Sequence, residues 1–418
     1  MFLNLQLRQS CNDCGKQYFK KHTCYGKGHR RKASNANDGN TRALSIEKFL
    51  VERVITSPSS SDLAKSLVAA STTRSLGLPR RIGILRLATD ELLTQPSLPL
   101  GVEIVHHRSV LMRLNGDATG SQQTIQAFVS EVRGQKNDLS SSDLAVLHIS
   151  QAHNHLFHFR HQDAHSAIRQ WSPTDCRSES QDRLLWDQLL CVSRILRGEG
   201  KFDASRQVLQ TCCATTGLAK PKRCIAVSSL ADVYCELSYQ EQDPSYLSSA
   251  EVLVLHELQS FRVTSGQCLQ PRGLRRLLLS LFEIQINQGA EVAEALVLQL
   301  LDTYTMLNDV DVVDRLGHVR TLILYARMAS EWEDAAKRWA QVLHWNAFYN
   351  PREEEVFTCG VAYLFLHASF HRLERPGESS TSLQQAINVL GKKQPQFLIP
   401  GLGTYIFSKA KHLAHMLD

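Results

Sequence analysis

Residues 330–343 read SEWEDAAKRWAQVL, with Ala335 four residues before Trp339 and Trp332 three residues before Ala335. Steps of three and four place these side chains on one stripe of an α-helix. A small residue one turn ahead of a bulky one lets a neighbouring backbone approach closely, and the bulky one fills the space beyond it. Both tryptophans are therefore expected to pack against a partner helix.

The same step recurs along the chain: Ala167 with Trp171, Ser205 with Leu209, and Ala386 with Leu390. Phe202 precedes Ser205 as Trp332 precedes Ala335. The series Ala167, Ser205, Ala250, Ala295, Ala335 and Ala386 has separations of 38, 45, 45, 40 and 51 residues, and Gln299 stands where Ala295 calls for a bulky partner. Helix pairs repeated at this interval predict an all-α architecture.

The segments around these residues resemble the tetratricopeptide-repeat family, whose unit places W-x2-LG-x2-Y on a first helix and A-x3-F on a second. Leu230-Ala231-x2-Tyr234, with Val227 at the tryptophan place, matches the first helix. Leu189-x2-Val192-Ser193-x2-Leu196 followed by Gly200-Lys201-Phe202-x2-Ser205-x3-Leu209 follows a whole unit, as does Val319-x2-Leu322-Ile323-x2-Ala326 followed by Trp332-x2-Ala335-x3-Trp339. The intervals exceed the family period of about 34 residues, so the repeats are lengthened and degenerate, similar to the helical-repeat tails of some fungal multidomain proteins. The resemblance implies a right-handed α-solenoid of antiparallel helix pairs over residues 140–418. Its concave wall, lined by first helices, holds a partner peptide. Groove-facing side chains in that family lie one residue after the packing positions, which transfers to Arg194, Arg197, Asp232, Arg320 and Arg327. Four arginines on an inner wall suit an acidic peptide or a chain terminus, because the guanidinium fork matches a carboxylate.

Residues 44–139 read as a less regular helical segment. Pieces such as SDLAKSLVAASTTRSLG and SQQTIQAFVSEVRGQ carry apolar residues at helical steps, and RIGILRL at 81–87 is the best strand candidate. SNANDGN at 34–40 and SPSSSD at 57–62 read as linkers.

Residues 1–43 form a basic head expected to be mostly disordered. The first 45 residues carry a net charge of +7, and the remainder carries −1. Cys11-x2-Cys14 and Cys24-x4-His29, with His22 as a substitute, have spacing from which four zinc ligands can converge tetrahedrally. The CxxCGK opening resembles a C2H2 finger, but the loop of about twelve residues before the first histidine is missing. Two readings stay open for the head: a degenerate zinc-binding element that contacts nucleic-acid phosphates through its lysines, and a flexible basic tail with incidental cysteines. Arg30-Arg31-Lys32 can also serve in a nuclear address.

Other features narrow the class. No apolar run approaches the roughly 18 residues of a membrane span, and MFLNLQLRQS lacks the layout of a signal peptide. The eleven cysteines suit reduced thiols in a cytoplasmic or nuclear protein. No GxxxxGK[ST], HExxH or GxSxG motif is present, and Gly401-Leu402-Gly403 lacks the third glycine of a dinucleotide loop. His153, His155, His158, His161 and His165 lack the carboxylates or thiols that complete a metal site and read as a polar face. The expected function is a non-catalytic scaffold or adaptor without a cofactor in its body. The alternative is a regulator that joins the basic head to a helical effector body.

Overall fold

The computed structural model describes residues 9–10, 17–18, 71, 77–94, 98–134, 139–158, 160–171, 179–215, 218–264, 272–305, 307, 310–349, 356–390 and 403–415. Cys11, Cys14, Cys24, His29 and both linkers lie outside the described residues. In the head, β1 (Gln9–Ser10) pairs antiparallel with β2 (Gln17–Tyr18).

All other described elements are helices. They are α1 (Leu78–Thr94), α2 (Leu98–Leu114), α3 (Ala118–Gly134), α4 (Ser141–Phe157), α5 (His161–Ile168), α6 (Glu179–Gly198), α7 (Phe202–Ala214) and α8 (Lys220–Glu241). They continue with α9 (Ser245–Thr264), α10 (Arg272–Asn287), α11 (Glu294–Thr305), α12 (Val312–Arg327), α13 (Trp332–Phe348), α14 (Val356–Arg372), α15 (Pro376–Leu390) and α16 (Thr404–His415). Each even-numbered helix from α2 to α14 packs against the odd one that follows it, and each odd one from α1 to α13 packs on the next even helix. First helices also touch in succession, α2 with α4, α4 with α6, α8 with α10 and α10 with α12. The chain is an all-α solenoid of antiparallel helix pairs. The stacking begins at α2, ahead of residue 140, so α2 and α3 form a full pair where an irregular segment is expected. RIGILRL lies inside α1 and is helix, not strand.

The turn inside each pair has a physical cause. After α6, the N–H groups of Gly200 and Lys201 return to the carbonyls of Arg197 and Leu196 at 3.0 and 2.9 Å, which requires a left-handed residue at Gly200, φ +74°. Glycine adopts that conformation without a Cβ penalty, and it closes the helix so that α7 folds back. Glu374 fills the same role after α14 at φ 55°.

Packing follows the small-to-bulky step. Ala167, Ser205, Ala250, Ala335 and Ala386 are buried, as are Trp171, Leu209, Val254 and Trp339. Trp339 stacks flat on Phe365 of α14, with ring centroids 4.2 Å apart, and Leu390 lies over Gly360, where an added Cβ would meet its Cδ2 at 2.6 Å. Ser205 sits so close to α6 that its hydroxyl donates to the Ser193 carbonyl at 2.9 Å; Ser121 on α3 does the same to Ser109 of α2 at 3.0 Å. Two expectations fail. Trp332 is 40% exposed, because it opens α13 at its solvent end, whereas Phe202 at the equivalent place is 8% exposed. Ala295 is exposed, because α11 turns Val297, Leu300, Leu301 and Tyr304 to the core. The described cysteines Cys191, Cys212, Cys213, Cys224, Cys235 and Cys359 are all free thiols.

Candidate functional site

The five residues placed on the inner wall sit on first helices, each following a buried or partly buried packing position: Arg194 and Arg197 on α6, Asp232 on α8, and Arg320 and Arg327 on α12. Four of them meet through one network. Arg197 Nη1 donates to Asp232 Oδ2 at 3.0 Å, and Arg320 donates to Asp232 Oδ1 and Oδ2 at 2.6 and 3.2 Å. Arg320 Nε and Arg327 Nη1 donate to Glu283 of α10 at 3.2 and 2.7 Å, and Arg327 Nη2 reaches Asn287 Oδ1 at 2.6 Å. The register brings these side chains together, but Arg197, Arg320 and Arg327 are consumed by internal carboxylates. Their charge is not available to an acidic peptide.

Burial pushes the Asp232 and Glu283 carboxyls up, and the flanking guanidiniums outweigh it. Arg320 and Arg197 hold Asp232 below the usual carboxylate range, and Arg320 and Arg327 do the same for Glu283. Glu236, one turn beyond Asp232 on α8, has no arginine in hydrogen-bond contact, and burial raises it. Glu283 and Glu236 are not singled out by the repeat register. Their signal in the sequence is isolation: each is the one charged residue in an apolar run, LLLSLFEIQIN and VYCELSY.

Both carboxylates face α16. This last helix leaves the pair-by-pair order and crosses the inner wall against α14 and α8. Glu236 accepts the Thr404 N–H at 3.1 Å and the Thr404 hydroxyl, so an anion sits at the positive N-terminus of α16. Tyr405 donates its hydroxyl to Glu283, and Arg327 lies 5.8 Å from its ring. Tyr405, Ile406 and Ala410 are buried, and Phe407 meets Phe357 at 5.2 Å. The C-terminal half of the groove thus holds a helix supplied by the chain itself.

The N-terminal half contains a cavity of about 360 Å³. Its lining includes six arginines against two aspartates. Asp314 pairs with Arg272 at 2.6 Å and Arg275 at 2.7 Å, Asp311 also binds Arg272, and Asp232 is shared by Arg197 and Arg320. Arg113 of α2 finds only neutral acceptors, Asn154 Oδ1 at 2.8 Å and the Ser150 carbonyl at 3.4 Å. Arg194 and Arg276 have no hydrogen-bond or ion-pair partner among the described residues. Arg194 is exposed towards the open part of the groove, yet the surrounding walls displace its water and lower its pKa. Burial and the nearby Arg194 bring both Arg113 and Arg276 down to about 10. His153 projects into the same cavity and is held well below its usual value by burial, Arg113 and Arg194, hence neutral.

A second depression, about 670 Å³, is lined by Gln210, Tyr234, Val252 and His256 on α7, α8 and α9, and has no converging charges. The other histidines of the 153–165 series do not gather: His161 is buried against Gly198, and His165 is half-buried on α5. No group of three His, Cys, Asp or Glu among the described residues is arranged to hold a metal ion, and no described helix is long and apolar enough to cross a membrane.

No family model and no curated protein matches the chain. Among solved structures, the apo form of the quorum sensor NprR from B. thuringiensis is similar, with a TM-score of 0.52 at 13% identity, over 85% of this chain and 95% of that one. At this identity the likeness concerns the fold: a TPR-like helical-repeat solenoid.

Proposed function

We propose that the protein is a non-catalytic scaffold whose inner wall binds a helical segment of a partner protein. The observation that carries this reading is α16, seated across first helices α8, α10, α12 and α14 by Glu236 at its N-terminus and Tyr405 against Glu283. The wall that holds this helix is built to hold one of the same chemistry: an amphipathic helix with an unencumbered N-terminal turn and an aromatic residue near its start. Such a partner displaces α16 or extends the surface it leaves. The fold shared with the quorum sensor NprR supports a helical-repeat wall of this kind.

The test uses a chain ending at residue 402 and a synthetic peptide of residues 403–418. Micromolar or tighter binding by calorimetry is expected, weakened about tenfold, roughly 1.4 kcal/mol, by Glu236→Gln. A folded truncated chain that ignores the peptide would remove the basis for the reading. The +7 head supports an additional, regulatory reading in which Cys11, Cys14, Cys24 and His29 hold zinc and the lysines contact nucleic acid, placing the protein in the nucleus or cytoplasm. Deleting residues 1–43 should then abolish salt-sensitive DNA binding and zinc content together.

A further inference from the structure

The arginine cavity in the N-terminal half lies apart from the α16 surface and contains charge that the protein leaves unbalanced. Arg113, Arg194 and Arg276 all line it, Arg113 and Arg276 each feel the charge of Arg194, and none of the three has a carboxylate within hydrogen-bond or ion-pair reach among the described residues, although Asp187 lies near Arg194 and Asp232 near Arg276. Three guanidiniums around one space repel one another, and the partial burial of Arg113 and Arg276 weakens the screening by water. The nearby Asp314 and Asp232 are already held by Arg272, Arg275, Arg197 and Arg320. An anion entering the cavity relieves this repulsion.

We propose that the cavity bounded by Arg113, Arg194 and Arg276 is a binding site for a small phosphate-bearing molecule, a phosphomonoester or a nucleotide. The charge argues for phosphate over carboxylate. A phosphomonoester carries about −1.5 to −2 charges and three acceptor oxygens, enough for three guanidinium forks, whereas a carboxylate carries one charge and two oxygens. The shape argues for a small molecule over an extended chain. Helix α2 meets α12 across the groove, where the Gly116 turn abuts Val312 and Arg315, so the inner wall closes on itself there. The volume of about 360 Å³ falls at the lower end of small-ligand pockets. His153 lines the same cavity and, held neutral by burial and the nearby Arg113 and Arg194, offers an N–H donor that does not add to the repulsion.

The experiment compares phenyl phosphate with benzoate on the full-length protein at matched ionic strength, by titration calorimetry and thermal unfolding. Phenyl phosphate should bind saturably, at least tenfold tighter than benzoate, and raise the melting temperature. Arg194→Met and Arg276→Met should each weaken it at least tenfold. Arg194→Met should also melt, without ligand, no lower than the wild type, since it removes an unbalanced charge. Arg375→Met, on the exposed turn before α15, should leave binding unchanged. Arg194→Lys, which keeps the charge but loses the fork, should weaken binding less than Arg194→Met, and it serves if the methionine variants lose helicity. No saturable binding through millimolar phenyl phosphate, or equal binding by wild type and folded Arg194 and Arg276 variants, overturns the site. A decaglutamate peptide that binds tighter than phenyl phosphate and depends on the same arginines would assign the cavity to an acidic chain and overturn the small-ligand proposal. Binding of the 403–418 peptide is read separately, so either conclusion can fail alone.

Discussion

Arg320 grips Asp232 through two N–H···O bonds of 2.6 and 3.2 Å, although 88 residues separate them in the chain. The fork reaches from α12 to α8, past α10, and the same guanidinium also donates to Glu283 of α10. One side chain therefore ties three successive first helices together. Solenoid repeats otherwise contact only their neighbours, so this network makes the inner wall a single unit.

Replacing Arg320 with alanine should destabilise the protein by about 3–5 kcal/mol, because it leaves Asp232 and Glu283 in a low-water setting with their strongest partner gone. Urea unfolding followed by far-UV circular dichroism measures it. Asp232→Asn combined with Arg320→Met should recover part of the loss, since neither charge is then stranded. A double variant no more stable than Arg320→Ala would show that the pair does not act through charge.

The same network sets an acid limit. Asp232 and Glu283 have folded pKa values below their ordinary 3.8 and 4.5. Their contribution is fully present above the ordinary carboxylate range and is lost as pH falls through the depressed folded values, where the unfolded chain binds more protons. Glu236 works in the opposite sense: its raised folded pKa means its contribution is greatest below the ordinary 4.5 and is lost as pH rises. As pH falls below about 5 the melting temperature should drop, and Asp232→Asn should flatten that drop. Parallel curves for variant and wild type would exclude Asp232 as a contributor.

The stretch at 330–343 separates packing from surface. Ala335→Leu should cost about 1–3 kcal/mol, since a buried position at a close helix crossing has no space for the added carbons. Trp339→Ala should cost about 3–5 kcal/mol through the cavity left beside Phe365. Trp332→Ala, at a 40% exposed site, should stay within about 0.5–1 kcal/mol. Equal melting temperatures for the two tryptophan variants would contradict this ordering.

Tyr405→Phe deletes the hydroxyl that donates to Glu283 and should cost about 1.5–3 kcal/mol, the range for a hydrogen bond to a charged group. The loss should be local. Hydrogen exchange should accelerate in α16 before it does in α8 or α10, because α16 has no helix pair of its own to hold it. Uniform acceleration throughout the solenoid would mean that α16 unfolds only with the whole.

Much of the fold was legible, because helical packing is a short-range pattern. The Ser205–Leu209 and Ala335–Trp339 steps, with Gly200 between α6 and α7, specify a pair of helices and the turn between them within about thirty residues. The first pair was legible too: Ser121 and Ile125 repeat the step and are fully buried, but their polar surroundings hid the start of the solenoid. Ala295 shows the limit of the pattern. A small residue four places from a polar one satisfies half of the rule, and only burial shows that α11 turns a different face to the core.

By itself the sequence determined the helix pairs around Ser205–Leu209 and Ala335–Trp339, and the placing of Arg194, Arg197, Asp232, Arg320 and Arg327 on first helices. Local spacing encodes all of these. Tertiary structure alone decided which of those charges are neutralised, because Arg320 meets Asp232 only after the superhelix brings α12 over α8. It likewise decided that α16 lies in the groove and that Arg113, Arg194 and Arg276 share one cavity. The distances between side chains on different pairs depend on the rotation accumulated from each pair to the next, and no local pattern of residues records that sum.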